Sequence, residues 1–258
     1  MSLLSGKTIL VMGVANKRSI AWGIATSAYK QGARLAFTCL SEREKAKVES
    51  LVQEDMPGEE FPVVICNVAE DESLDAAFAE LRTRVGVLHG VAHAVAFAKT
   101  EELQGEYADT SRDGYLLAQN ISVYSLVGVA RRARDLMTEG GSIVTLTYLG
   151  GERVVENYNV MGVAKAALDA SMRYLAKDLG SQDIRVNAIS SGPIRTVSAK
   201  GVHDFNKIVN TLAERAPLGR STNQEEVGDV ASFLFSNLGR GVTGEIIHVD
   251  GGFHILGF

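Results

Sequence analysis

Thr8-Ile-Leu-Val-Met-Gly13-Val-Ala15-Asn-Lys-Arg-Ser19-Ile20 is the stretch on which the fold turns. An apolar strand is expected over Thr8 to Gly13 and a helix from about Ala21, joined by a short loop that opens with glycine. A dinucleotide-binding fold needs a glycine at this point so that backbone can approach a pyrophosphate, and a helix N-terminus to receive the anion. The loop keeps Gly13 but lacks the later glycines of G-x-G-x-x-G. Ser19 suits capping of the helix, the simpler role, although its hydroxyl could instead donate to a phosphate.

Outward from this unit, apolar runs of strand length alternate with amphipathic runs of helical length. That is the pattern of a parallel sheet covered on both faces. Further strands are expected at Arg34 to Thr38, Pro62 to Cys66, Gly90 to Ala94, Ser142 to Leu146, Arg185 to Ile189 and Glu245 to Val249. The longest helices should run from Asp113 to Met137 and from Tyr158 to Leu179. The fold expected is α/β: one Rossmann-type doubly wound domain over residues 1–258, with a seven-stranded parallel sheet. Only Pro57, Pro62, Pro193 and Pro217 interrupt the chain, and neither a linker nor an internal repeat divides it.

The net charge of −5 argues against nucleic acid as a partner, because phosphate binding needs a concentrated basic face. Arg131-Arg132-Ala-Arg134 reads as the polar side of a helix. No apolar run reaches the length of a membrane span, about 18 residues. The opening Met1-Ser-Leu-Leu-Ser-Gly-Lys-Thr8 carries no basic leader, so a cytoplasmic protein is expected. Cys39 and Cys66 are expected as buried thiols, and no metal site is expected.

Ligands of open α/β sheets lie beyond the C-terminal strand ends. Phe37-Thr38-Cys39-Leu40-Ser41 should lie near an adenosine ribose, with neither the acid that selects NAD nor the basic pair that selects NADP; Glu42 and Arg43 read as the next helix's first turn. Asn67 has an acceptor for an adenine amino group, and turn formation explains it equally well. His93 sits on an apolar strand and reads as a core histidine. Tyr148 precedes Gly150 and Gly151, and could present a phenol or pack at a strand end. Ser190-Ser-Gly192-Pro193-Ile194-Arg195-Thr196 can offer backbone groups to a carboxamide. The segment at about 195–210 has the composition of a mobile substrate lid, or of an ordinary surface turn.

Tyr158 and Lys165 stand seven residues apart. In a helix, seven steps return the side chains to within about 20° of one face, roughly 10 Å apart along the axis. A lysine there points back toward the helix N-terminus, leaving a gap about the size of a ribose. Such a pair suits hydride transfer from a nicotinamide cofactor to a substrate whose oxygen the tyrosine holds.

Five ordered phrases carry a resemblance: Gly-Val-Ala-Asn-Lys-Arg-Ser-Ile-Ala-Trp-Gly from Gly13, Thr-Tyr-Leu-Gly-Gly-Glu from Thr147, Asn-Tyr-Asn-Val-Met-Gly-Val-Ala-Lys from Asn157, Arg-Val-Asn-Ala-Ile-Ser from Arg185 and Gly-Pro-Ile-Arg-Thr from Gly192. With them the chain resembles, over essentially its whole length, the bacterial enoyl-acyl-carrier-protein reductases of dissociated fatty-acid synthesis, a divergent branch of the short-chain dehydrogenases. Ordinary short-chain dehydrogenases place tyrosine and lysine four apart, and the wider spacing points to the enoyl reductase branch.

The resemblance implies NADH-dependent reduction of trans-2-enoyl thioesters, with Tyr158 on the thioester carbonyl, Lys165 on the nicotinamide ribose and Tyr148 as a second phenol. It implies cofactor contacts at Gly13, Ser19, Ile20, Leu40, Asn67, Val68, Val95, Ile194, Arg195, Thr196, Val197 and Ser198. Ala98 and Phe205 would line the acyl pocket. Acyl carrier protein would be the partner and a homotetramer the assembly. Asn67 departs from the aspartate common in the family. Leu40 and Ser41 lack the basic residues of NADPH-preferring members, which favours NADH and leaves NADPH possible. The alternatives are a ketone or alcohol dehydrogenase of the same fold and a non-catalytic NADH sensor.

Overall fold

β1 (Thr8–Met12) alternates its side chains between two buried layers: Leu10 and Met12 enter one, Ile9 and Val11 the other. The same division runs through β2 (Arg34–Cys39), β4 (Gly90–His93), β5 (Gly141–Thr147) and β6 (Ile184–Ser191). Strands apolar on both faces require helices on both faces. A computed structural model describes residues 2–196, 209 and 214–257. It shows all seven expected strands in one parallel sheet of order β3-β2-β1-β4-β5-β6-β7, with β3 at Val63–Ile65 and β7 at Ile246–Val249.

One layer is closed by α3 (Asp71–Arg84), α5 (Ser125–Ala133) and α6 (Asn159–Leu179). The other is closed by α1 (Ile20–Lys30), α2 (Glu42–Asp55) and α7 (Gln224–Phe235). The strand order reverses between β1 and β4, which opens a crevice at their C-terminal ends. The register pairs Met12 with His93 and His93 with Thr145, so β1 and β4 end level beside that crevice while β5 runs on past them to Thr147.

The helix expected over Asp113 to Met137 is three pieces. α4 (Arg112–Gln119) passes through a π-helical turn at Asn120–Tyr124 into α5, which ends at Ala133. The widened turn brings the buried Ser122 hydroxyl against β4's exit, where it accepts from Phe97 N–H at 3.0 Å and lies 3.1 Å from Phe97 carbonyl oxygen. A 3.6-residue periodicity cannot reveal an i→i+5 turn. Cys39 and Cys66 are free, buried thiols, as expected. Val197, Ser198, Phe205 and nearly all of the expected lid lie outside the described residues.

Candidate active site

Gly13 shows why no other residue fits the end of β1. Its φ is +88°, and a Cβ there would lie 2.1 Å from Ala94 carbonyl oxygen at the end of β4. The loop can therefore fold into the crevice only without a side chain. Ser19 stands at the N-cap of α1, but its hydroxyl donates to Asn16 carbonyl oxygen at 2.6 Å and caps no helix amide. This corrects the capping role expected for it. With no acidic residue in the first turn either, α1 directs unneutralised N–H groups at the crevice, beginning with Ile20. That is the requirement for a pyrophosphate.

At the tip of β3, Asn67 forms a turn: its side-chain oxygen accepts from Ala69 N–H at 3.1 Å and its amide donates to Glu70 at 2.8 Å. The oxygen keeps a second lone pair for a ligand. Val68 is buried behind it, while Val95 and Ala98, beyond β4, are partly buried. Leu40, past β2, is 57% exposed.

His93 is a core residue. Its ring nitrogens lie 3.1 Å from Thr145 hydroxyl and 2.9 Å from Ser125 hydroxyl. Burial, aided by the nearby Lys165 ammonium, pushes its pKa down to about 3, so the ring is neutral.

The two phenols come together at the end of β5. Tyr148 and Tyr158 meet edge to face, with ring centroids 5.0 Å apart at 73°. Gly150 makes that possible, since a Cβ on it would fall 2.5 Å from Tyr158 Cδ1 and 3.2 Å from Tyr148 Cδ1. Tyr158 is the N-cap of α6 rather than its first helical residue, flanked by Asn157 and Asn159 at φ +59° and +28°. Asparagine tolerates that left-handed backbone better than most residues. The kinked entry turns Tyr158 toward Tyr148. Burial raises both phenol pKa values, and for Tyr158 the neighbouring Tyr148 and Asp169 add to the rise. Both stay protonated, hence donors, at any neutral pH.

Lys165 is 6% exposed, and its Nζ donates to Leu146 carbonyl oxygen at 2.7 Å. Burial lowers its pKa to about 8 against the opposing pull of Asp169. An ammonium with one of three protons spent on β5 has two left for ligand hydroxyls. Asp169, one turn further along α6, is itself buried, with Oδ1 unpaired by any described group. Its i+4 spacing from Lys165 was the readable signal for it.

Beyond β6, Thr196 N–H donates to Ile194 carbonyl oxygen at 2.8 Å in a tight turn. Ile194 and Arg195 line a cavity of about 260 Å³ with Arg18 and Thr222. It adjoins the α1 loop and does not include the phenols. The structure thus gathers Gly13, Ser19, Ile20, Val95, Ala98, Tyr148, Tyr158, Lys165 and Ile194 to Thr196 along the C-terminal edge of β1, β4, β5 and β6, with Leu40, Asn67 and Val68 at the β2 and β3 tips.

Residues 13–254 match the family described as Enoyl-(Acyl carrier protein) reductase. The NADH-type enoyl-acyl-carrier-protein reductase of Bacillus cereus is 63% identical over 257 residues, all of both chains. The NADPH-type enzyme of Staphylococcus aureus is 53% identical and covers 98% of each chain. The crystal structure of the Bacillus cereus enzyme with NADP+ and an indole naphthyridinone superimposes with a TM-score of 0.98 over 100% of both chains at 63% identity. The kinked phenol pair, the glycine-lined crevice and this full-length similarity agree, and the chain belongs to the enoyl-acyl-carrier-protein reductase family.

Proposed function

We propose that this protein reduces the trans-2 double bond of enoyl thioesters carried on acyl carrier protein, using NADH, in the elongation cycle of fatty-acid synthesis. The observation that carries the proposal is the pair of protonated phenols packed over Gly150, with the Lys165 ammonium pinned to β5 behind them. When bound, NADH supplies a hydride for the β-carbon. Gly13 and the uncapped α1 amides fit its pyrophosphate, and Lys165 fits its nicotinamide ribose hydroxyls.

Hydride addition to the β-carbon moves the double-bond electrons through the α-carbon onto the thioester oxygen. Tyr158 donates a hydrogen bond to that oxygen as charge develops, in a site dry enough to make the bond count. A proton added at the α-carbon restores the carbonyl and completes saturation. Tyr148 closes the side of the site and orients the thioester. Asn67 and Val68 receive the adenine, Leu40 the adenosine ribose, and Val95 with Ile194, Arg195 and Thr196 the nicotinamide half. Val197 and Ser198 extend that contact, and Ala98 and Phe205 line the acyl pocket, with a lid at about 195–210.

The protein works as one domain, in the cytoplasm, as a homotetramer. Tyr115 and Leu116 on α4, Tyr124 in the π-helical turn and Tyr174 on α6 are large apolar residues left exposed, which supports assembly through these helices. No helix among the described residues is long and apolar enough to cross a membrane. The test follows loss of NADH absorbance with a short trans-2-enoyl thioester. Enoyl-dependent oxidation is expected; no turnover from folded protein that binds NADH would defeat the proposal.

A further inference from the structure

The tip of β2 holds a carboxylate that the strand itself does not carry. In a doubly wound fold this tip meets the adenosine ribose, and an acid there grips the 2′-hydroxyl of NADH while a base there accepts the 2′-phosphate of NADPH. Here Cys39, Leu40 and Ser41 are neither. The carboxylate comes from Glu44, the third residue of α2, whose side chain folds back across the helix start and accepts from Leu40 N–H at 2.9 Å. A reciprocal capping box would have put that carboxylate on the amide of Ser41, with the Ser41 hydroxyl capping the helix in return. Ser41 makes no side-chain cap, and Glu44 reaches one residue further, to the strand tip.

The charge around this tip is mixed and close. Glu44, Glu42 and Lys45 all act on the Cys39 thiol at the end of β2, two of them negative and one positive. Arg43 stands beside them in the first turn of α2, and Glu44 is the anion held at the strand end. Relatives of the same fold are named for NADH or for NADPH. The backbone therefore does not choose between the cofactors; side chains at the ribose do.

Resting on the reading of this chain as a nicotinamide-dependent reductase, we propose that Glu44 sets its cofactor form: the carboxylate accepts a hydrogen bond from the adenosine 2′-hydroxyl and repels a 2′-phosphate. A dianion facing a carboxylate across a ribose is disfavoured, the more so at low ionic strength. Removing the charge leaves Glu42 opposed by Lys45 and Arg43, so the net charge of the turn changes to positive.

The test is equilibrium binding of NADH, NADPH, 5′-AMP and adenosine 2′,5′-bisphosphate to the ligand-free protein, wild type and Glu44→Gln. Glutamine keeps an acceptor for Leu40 N–H and loses only the charge. The preference of adenosine 2′,5′-bisphosphate over AMP is expected to rise about tenfold in Glu44→Gln at low salt, shrinking as salt is added. The NADPH to NADH ratio should move with it. Glu49→Gln makes the same charge change on an exposed position further along α2 and should move the ratio less than about twofold.

An unmoved ratio in Glu44→Gln, an equal shift in Glu49→Gln, or equal weakening of both nucleotides would each overturn the proposal. Enoyl thioester turnover by the wild type is read separately. Turnover with an unmoved ratio defeats Glu44 alone, whereas a moved ratio without turnover defeats the proposed reaction alone. Failure to bind either dinucleotide overturns both.

Discussion

Tyr158 and Lys165 use burial in opposite directions. Burial raises the phenol and keeps it a donor, whereas it pulls the ammonium down to about 8, near the working range. Tyr158→Phe removes a preorganised donor worth about 3 to 4 kcal/mol in the transition state. Turnover should fall a hundredfold or more with NADH affinity retained, and steady-state kinetics beside a binding titration would check both. For Lys165, the folded pKa lies below the 10.5 of an exposed lysine, so the folded protein sheds this proton first as pH rises. The cost of burying the charge is complete below about pH 8 and fades toward 10.5. Cofactor binding moves the other way, since the ribose hydroxyls need the charged form. NADH affinity should decline as pH rises through about 8, and Lys165→Ala should be weak throughout the range. A dissociation constant for Lys165→Ala equal to that of the wild type would remove lysine from the site.

The decisive contacts between elements are made where side chains are missing. β1 and β4 can end level only because Gly13 has no Cβ to strike Ala94, and α6 can bring Tyr158 beside Tyr148 only across Gly150. Gly13→Ala would combine a φ of +88° with a collision at 2.1 Å against backbone that cannot step aside. We expect a loss of more than about 2 kcal/mol in urea unfolding together with weakened NADH binding, the pattern of strain at a special backbone position. Stability and affinity both unchanged would mean that the loop relaxes away from β4. The π-helical turn does comparable work on the far side of the crevice: it sets Ser122 on Phe97 and leaves Ser125 to hold the neutral His93 ring.

Across the molecule, both apolar layers share one sheet, so loosening either should release the other. His93 ties them to pH. Its pKa in the folded protein is about 3 against 6.5 when exposed, so within that window only the unfolded chain takes the proton. Stability should therefore fall as pH drops from about 6.5 toward 3, by up to about 1.4 kcal/mol per pH unit from this residue alone. Trp22, the sole tryptophan, lies in the layer opposite α6 and reports its own face by fluorescence, while ellipticity reports the helices of both. The two signals should trace one transition, and His93→Gln should flatten its acid limb. Two separate transitions would break the chain into independent units.

Periodicity and strand-end chemistry were enough to read seven strands, their parallel pairing, the glycine at the crevice and the Tyr158 to Lys165 spacing, because alternation and helical repeat are local properties of a chain. Glu44, the π turn, the Ser19 bond to Asn16 and the kink at Tyr158 were beyond them. Each depends on which of several nearby groups a side chain or amide meets in the folded chain: Glu44 turns back to an amide four residues earlier and Ser19 to a carbonyl three residues earlier, choices that a periodic pattern leaves open. The carboxylate at the ribose end shows the difference most sharply. Position 44 reads as helix in the chain, and only the return of α2's first turn over Leu40 delivers its charge to the strand tip, where a hydrogen bond to backbone outweighs a fully solvated side chain.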